Sequence, residues 1–171
     1  MIVLAAAALL PAAGCKRKVH PRASATDETT GELATMVHTA DPRVSSQLLK
    51  GFYEVEGAAW RWTMQKFSVS LRTPLNAAAA GAKLEVRLAV PEPVIQRLKS
   101  VTLTASVNGQ PLPPQTYKKA GEAVFEAAVP ASMLKSPAVT VDFALDRALP
   151  PGSVDARELG VVVSSIGFAA Q

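Results

Sequence analysis

The chain has 171 residues, 49% of them hydrophobic and 19% charged, so one domain of ordinary size can build a real core and still leave room for tails. Its formal charge of +4 is spread thinly: from Gly51 onward 12 Lys and Arg face 10 Asp and Glu, a difference of +2, with no basic stretch to serve a nucleic-acid partner. Cys15, His20 and His38 are the only cysteine and histidines and all fall in the first forty residues, which leaves the rest of the chain without a Ser-His-Asp or Cys-His nucleophile and without the usual zinc ligands.

The chain opens on "MIVLAAAALLPAAGC", an apolar run that ends in small residues. With fourteen residues before Cys15 it is short of the roughly 20 needed to span a bilayer, and it matches the apolar region and cleavage site of a secretory signal. Its end, Ala12-Ala13-Gly14-Cys15, resembles the lipobox of bacterial lipoproteins. That resemblance implies that residues 1–14 are removed and that Cys15 carries the lipid as the first residue of the mature chain. Lys16 follows where an aspartate would point to inner-membrane retention, so the same resemblance implies the outer membrane or the periplasmic face of the envelope.

From Lys16 to about Ser46 the chain is polar, mixed in charge and nearly free of large apolar residues, too little to offset the entropy of ordering it. It reads as a flexible tether, residues 15–47 counting the cysteine, within which "TGELATMVHTA" is at most a helical turn. Lys16, Arg17 and Lys18 would lie where they meet anionic headgroups.

A folded domain is expected over residues 48–171. "KFSVSL" puts Phe67, Val69 and Leu71 on one face, and "AKLEVRLAV" puts Leu84, Val86, Leu88 and Val90 inward with Lys83, Glu85 and Arg87 outward. "EPVIQRLKS", Glu92 to Ser100, reads as a short helical connection. "SVTLTASVNG" sends Val101, Leu103, Ala105 and Val107 to one side and then meets Asn108-Gly109, a hairpin signal because a type I′ turn needs positive φ at both central positions. "AVFEAAV" and "AVTVDFAL" continue the alternation, the second with Val139, Val141, Phe143 and Leu145 inward. "LGVVVSSIGFAA" is almost continuously apolar, as in a strand covered on both sides. Prolines cluster between the runs, as in "PLPP" and "LPPG", where they cost no ladder donors. Short strands at this spacing predict an all-β fold, a single antiparallel β-sandwich.

"GFYEVEGAAWRWT", Gly51 to Thr63, holds both tryptophans and reads as the first strand. Period two sends Trp60 and Trp62 to one face and Arg61 with Thr63 to the other. Two readings stand for the pair. The indoles stack on sugar rings with Tyr53 and Glu54 adding polar contacts, or they fill the sandwich core. Arg61 needs solvent or a carboxylate, and Glu158 and Glu54 are its available partners if the first and last strands are neighbours. Such a pair closes the domain where its ends meet; the other role is a ligand clamp. Asp142, Asp146, Glu85, Glu122 and Glu126 fall singly at outward or turn positions, which suits solvated charges better than the facing pair of a glycoside hydrolase.

Together the "GFYEVEGAAWRWT" segment, the hairpin "VTLTASVNGQPL" and the ending "DARELGVVVSSIGF" resemble the galactose-binding-like, jelly-roll accessory domains that accompany bacterial glycan-active enzymes. The resemblance and the tryptophan segment together lead us to expect a non-catalytic binding module for carbohydrate, with Tyr53, Glu54, Trp60, Arg61 and Trp62 as candidate ligand-contacting residues. The whole sequence then reads as a cell-envelope lipoprotein without metal or cofactor, anchored to the membrane by lipid. Its partner is a glycan or, in the alternative reading, an envelope protein on which a structural lipoprotein docks through a sheet face or edge.

Overall fold

A computed structural model describes residues 32–153 and 155–169. The signal segment, Cys15, the basic triplet Lys16 to Lys18 and the first half of the expected tether lie outside the described residues. The strands are β1 (Met36–His38), β2 (Leu48–Glu56), β3 (Trp60–Arg72), β4 (Ala82–Val90), β5 (Val101–Val107), β6 (Gln110–Pro111), β7 (Gln115–Tyr117), β8 (Gly121–Val129), β9 (Ala138–Leu145) and β10 (Val162–Ala169). Two short helices, α1 (Ala77–Ala80) and α2 (Glu92–Leu98), flank β4.

All strand pairs are antiparallel, and their order is β6-β5-β9-β3-β10-β4-β8. β3 is the corner of this sheet. Its first residues pair with β10, Trp62 opposite Val162 and Arg61 opposite Val163, while Lys66 to Arg72 pair with β9. On its other side β2 follows it through three register shifts. Gly51 sits at one of them with φ of +77°, and a Cβ there would stand 2.1 Å from the Lys66 carbonyl oxygen. Only glycine combines that left-handed backbone with so close an approach.

Curling at β3 folds the sheet onto itself as a β-sandwich. Phe125 of β8 and Phe143 of β9, far apart in the strand order, meet edge to face at 6.4 Å, and Phe67 of β3 stacks on Phe143 at 4.8 Å. The inward positions read from the sequence line this core: Phe67, Leu84, Val86, Leu103 and Val141 are all fully buried, as are Phe125 and Ile166. Each large side chain so placed contributes roughly 1.5–3 kcal/mol of transfer free energy. The Asn108-Gly109 turn also forms as read, with φ of 48° and 80°. Residues Ser165 to Phe168 of β10 are buried in succession, as expected of a strand covered on both faces.

Three expectations need correction. The fold begins before residue 48: β1 pairs with β10, Met36 opposite Gly167, and Val37 and Thr39 are fully buried. Hence "MVH" within the expected tether is a strand and no helical turn, and His38 belongs to the sheet. Neither is Gly51 to Thr63 a single strand. A turn at Gly57 and Ala58, with φ of 58° and 54°, makes it a hairpin with Tyr53 and Glu54 on one arm and both tryptophans on the other.

Candidate functional site

The register fixes which residues share the solvent side of the β3, β10, β4 and β8 layer. Trp62 lies opposite Val162, Val162 opposite Ala89, and Ala89 opposite Glu122, so the four form one row across the sheet. Leu88 and Val163, one step away on their strands, are buried on the inner side. The parity read from the sequence therefore holds, and both tryptophans belong to the outer face. What differs is their cover.

Trp60 opens β3 with 39% of its surface exposed, its ring packed so closely over Gly57 that a Cβ there would meet it at 2.6 Å. It walls a depression of about 350 Å³ together with Arg87, Ala89, Glu122, Val124, Val162 and Ser164. Apolar indole and valine surface thus adjoins a guanidinium, a carboxylate and a hydroxyl. Among the described residues the Arg87 side chain is tied only to Glu85, at 3.1 Å along its own strand, and it stays largely in solvent. Trp62 is half-buried and packs against the core. It forms one wall of a second depression, about 380 Å³, with Pro93 and Arg97 of α2 and Leu149, Pro150 and Leu159 of the loop before β10. That loop is pinched shut by reciprocal Leu149 and Leu159 backbone hydrogen bonds of 2.8 and 2.9 Å.

Arg61 points away from both depressions. Its Nε donates to the Thr39 carbonyl at 2.7 Å and its Nη1 to the Tyr53 carbonyl at 2.8 Å, with the Glu54 carboxylate 3.8 Å off and fully in solvent. The guanidinium is spent on backbone, stitching the residue after β1 to β2. A ligand clamp would need the guanidinium free, and here its Nε and Nη1 are taken by backbone carbonyls.

The expected Arg61–Glu158 pair does not form, although the first and last strands of that expectation are indeed neighbours. Gly160 donates to the Thr63 carbonyl at 2.7 Å, and this anchors Glu158 beside the next turn of β3, where its Oε1 accepts from the Gln65 amide at 2.7 Å. Arg157 makes the pairing instead. It holds Asp155 through Nε and Nη2, reaches Glu56 through Nη1 at 2.7 Å, and lies 5.1 Å from the centre of the Tyr53 ring. Hydrogen bonding to Arg157 holds the Asp155 carboxyl below its usual range, and Asp155 and then Glu56 raise the guanidinium above its own. Tyr53 thereby packs on the loop before β10, and of the five residues read from the sequence Trp60 and Trp62 are the ones that wall the two depressions. The Asp-x-Arg spacing of Asp155 and Arg157 is the one visible signal for this clasp, and the sequence reading missed it. Among the described residues no group of three or more His, Cys, Asp or Glu converges as metal ligands would.

No family model matches the chain, and no curated protein is similar to it in sequence. Among solved structures it is similar to a family GH115 4-O-methyl-alpha-glucuronidase with specificity for decorated arabinogalactans, at 12% identity and a TM-score of 0.50 over 82% of this chain and 18% of that one. It is similar also to an acetyl xylan esterase from the rumen bacterium Butyrivibrio proteoclasticus, at 12% identity and a TM-score of 0.47 over 82% of this chain and 33% of that one. A third is the CBM36-1 domain of a multidomain xylanase from the hindgut metagenome of Trinervitermes trinervoides, at 9% identity and 0.40, over 80% of this chain and 98% of that one. The chain spans only a fraction of the two enzymes, and at these identities the likeness is one of fold.

Proposed function

We propose that this chain is a non-catalytic carbohydrate-binding module, held in the cell envelope by a lipid on Cys15, that takes its glycan on the outer sheet face at Trp60. The observation that carries the reading is the exposed indole itself. A tryptophan ring left in water costs transfer free energy, and here it lines one depression with hydroxyl, carboxylate and guanidinium residues. The C–H faces of a pyranose suit an indole, and its hydroxyls suit Arg87, Glu122 and Ser164. Titrating the intact chain with soluble polysaccharides, decorated arabinogalactan among them, should quench its tryptophan fluorescence. Trp60→Ala should lower the affinity roughly tenfold or more, because stacking on this ring is the main apolar contact available. Absence of quenching across the panel, or full affinity in Trp60→Ala, overturns the reading. The anchor is tested separately: a lipid precursor should label the wild type in cells, and Cys15→Ser should lose the label.

One observation favours the alternative, docking on an envelope protein. β8 ends the strand order and carries Val124, 44% exposed, beside the Trp60 depression. In that case Val124→Lys abolishes partner capture while glycans leave the fluorescence unchanged.

A further inference from the structure

The second depression, walled by Trp62, differs from the first in charge. Two arginines border it. Arg157 is saturated, by Asp155 at 2.9 Å and Glu56 at 2.7 Å. Arg97, in the last turn of α2, is exposed and has neither a salt bridge nor a hydrogen bond to its side chain among the described residues. The remainder of the wall is the apolar Trp62, Pro93, Leu149, Pro150 and Leu159 with Gly152, Ser153 and Asp155, and that one lining carboxylate is paired with Arg157 at 2.9 Å. At about 380 Å³ the space falls within the roughly 300–1,000 Å³ of small-ligand sites.

We infer that this depression binds a sugar residue bearing a carboxylate, a uronic acid, with its ring against Trp62 and its carboxylate on Arg97. The inference rests on the reading of the chain as a glycan-binding module and goes beyond it by naming a second site and its charge. Geometry carries it in two parts. An unpaired planar guanidinium matches a carboxylate fork, and the hydrogen bond is charge-assisted. A half-buried indole flanked by two prolines offers a flat, rigid wall that a pyranose covers without ordering flexible side chains. Trp60 and Trp62 are two residues apart on one strand face, so the Cα atoms that carry the two walls stand roughly 7 Å apart.

The test uses trigalacturonic acid and its methyl ester, which share every ring and differ in charge. The free acid should bind the intact chain about tenfold more tightly than the ester, by tryptophan fluorescence at low salt, the order expected of one partly exposed charge-assisted contact. Arg97→Gln should erase the difference by weakening the acid alone, with an unchanged thermal midpoint because Arg97 supports no other residue. Lys118→Gln, at an exposed cation that lines neither depression, should preserve the acid preference. Equal affinity for acid and ester, or an acid preference that survives Arg97→Gln or disappears in Lys118→Gln, overturns the inference and leaves the glycan module standing. If acid, ester and the neutral polysaccharides all fail to bind, the module reading fails with it.

Discussion

Arg61 and Trp60 are neighbours in the chain with opposite duties, and substitution should separate them. Arg61 keeps only 13% of its side chain exposed and supplies the donors for the Thr39 and Tyr53 carbonyls. Removing it leaves partly buried acceptors unserved, at about 1–3 kcal/mol for such a group. Urea unfolding of Arg61→Ala should therefore show a loss of about 2–3 kcal/mol, and Arg61→Lys should recover little, since one ammonium centre lacks the fork that spans two carbonyls. Trp60→Ala should stay within about 1 kcal/mol of wild type, as expected for a substitution on the surface. An Arg61→Ala chain as stable as Trp60→Ala would contradict the structural role. Side-chain parity made the two faces legible in the sequence. The partners were less so, because Arg61 is satisfied mainly by backbone oxygens, which carry no sequence signature, while Glu158 accepts from Gln65 and Glu54 stands 3.8 Å off in solvent.

At the level of the elements, β4, β5 and β9 were legible because their alternation is strict and each has one buried face. The turn between β2 and β3 was not. "EGAAW" lacks an Asn-Gly pair, and its second left-handed residue is Ala58, which composition gives no reason to expect there. The two kinds of glycine predict a clear contrast in stability. Gly109 has a φ of +80° and open space around it, so Gly109→Ala should cost about 1 kcal/mol for the backbone alone. Gly51→Ala adds a collision with the backbone of Lys66 and Phe67, and there the loss should reach about 3 kcal/mol or more. Denaturant midpoints of the two variants decide it, and equal losses would mean that β2 does not press on β3 as described.

For the molecule as a whole, the least legible feature was where folding begins. β1 is three residues long, with Val37 its one fully buried aliphatic residue, and its partner β10 lies about 130 residues downstream. No local pattern announces such a strand. Gln47 adds to it by bonding the Ala34 backbone at both ends of its amide and the Ser70 carbonyl. A chain begun at residue 32 should keep the melting temperature of the full chain. One begun at residue 48 loses the Val37 burial and bares the β10 backbone, and its circular-dichroism midpoint should fall by roughly 10 °C. Equal midpoints would show β1 to be an ornament. The antiparallel pairing of β1 with β10 also sets a direction. The chain enters at Met36 beside Gly167, whereas the tryptophans lie toward Val162, five residues further along β10 and so about 17 Å away. A pull that enters through the N-terminal side and is resisted at Trp60 would run along these strands. The ladder bonds between β1 and β10 would then be loaded together in shear instead of parting one by one.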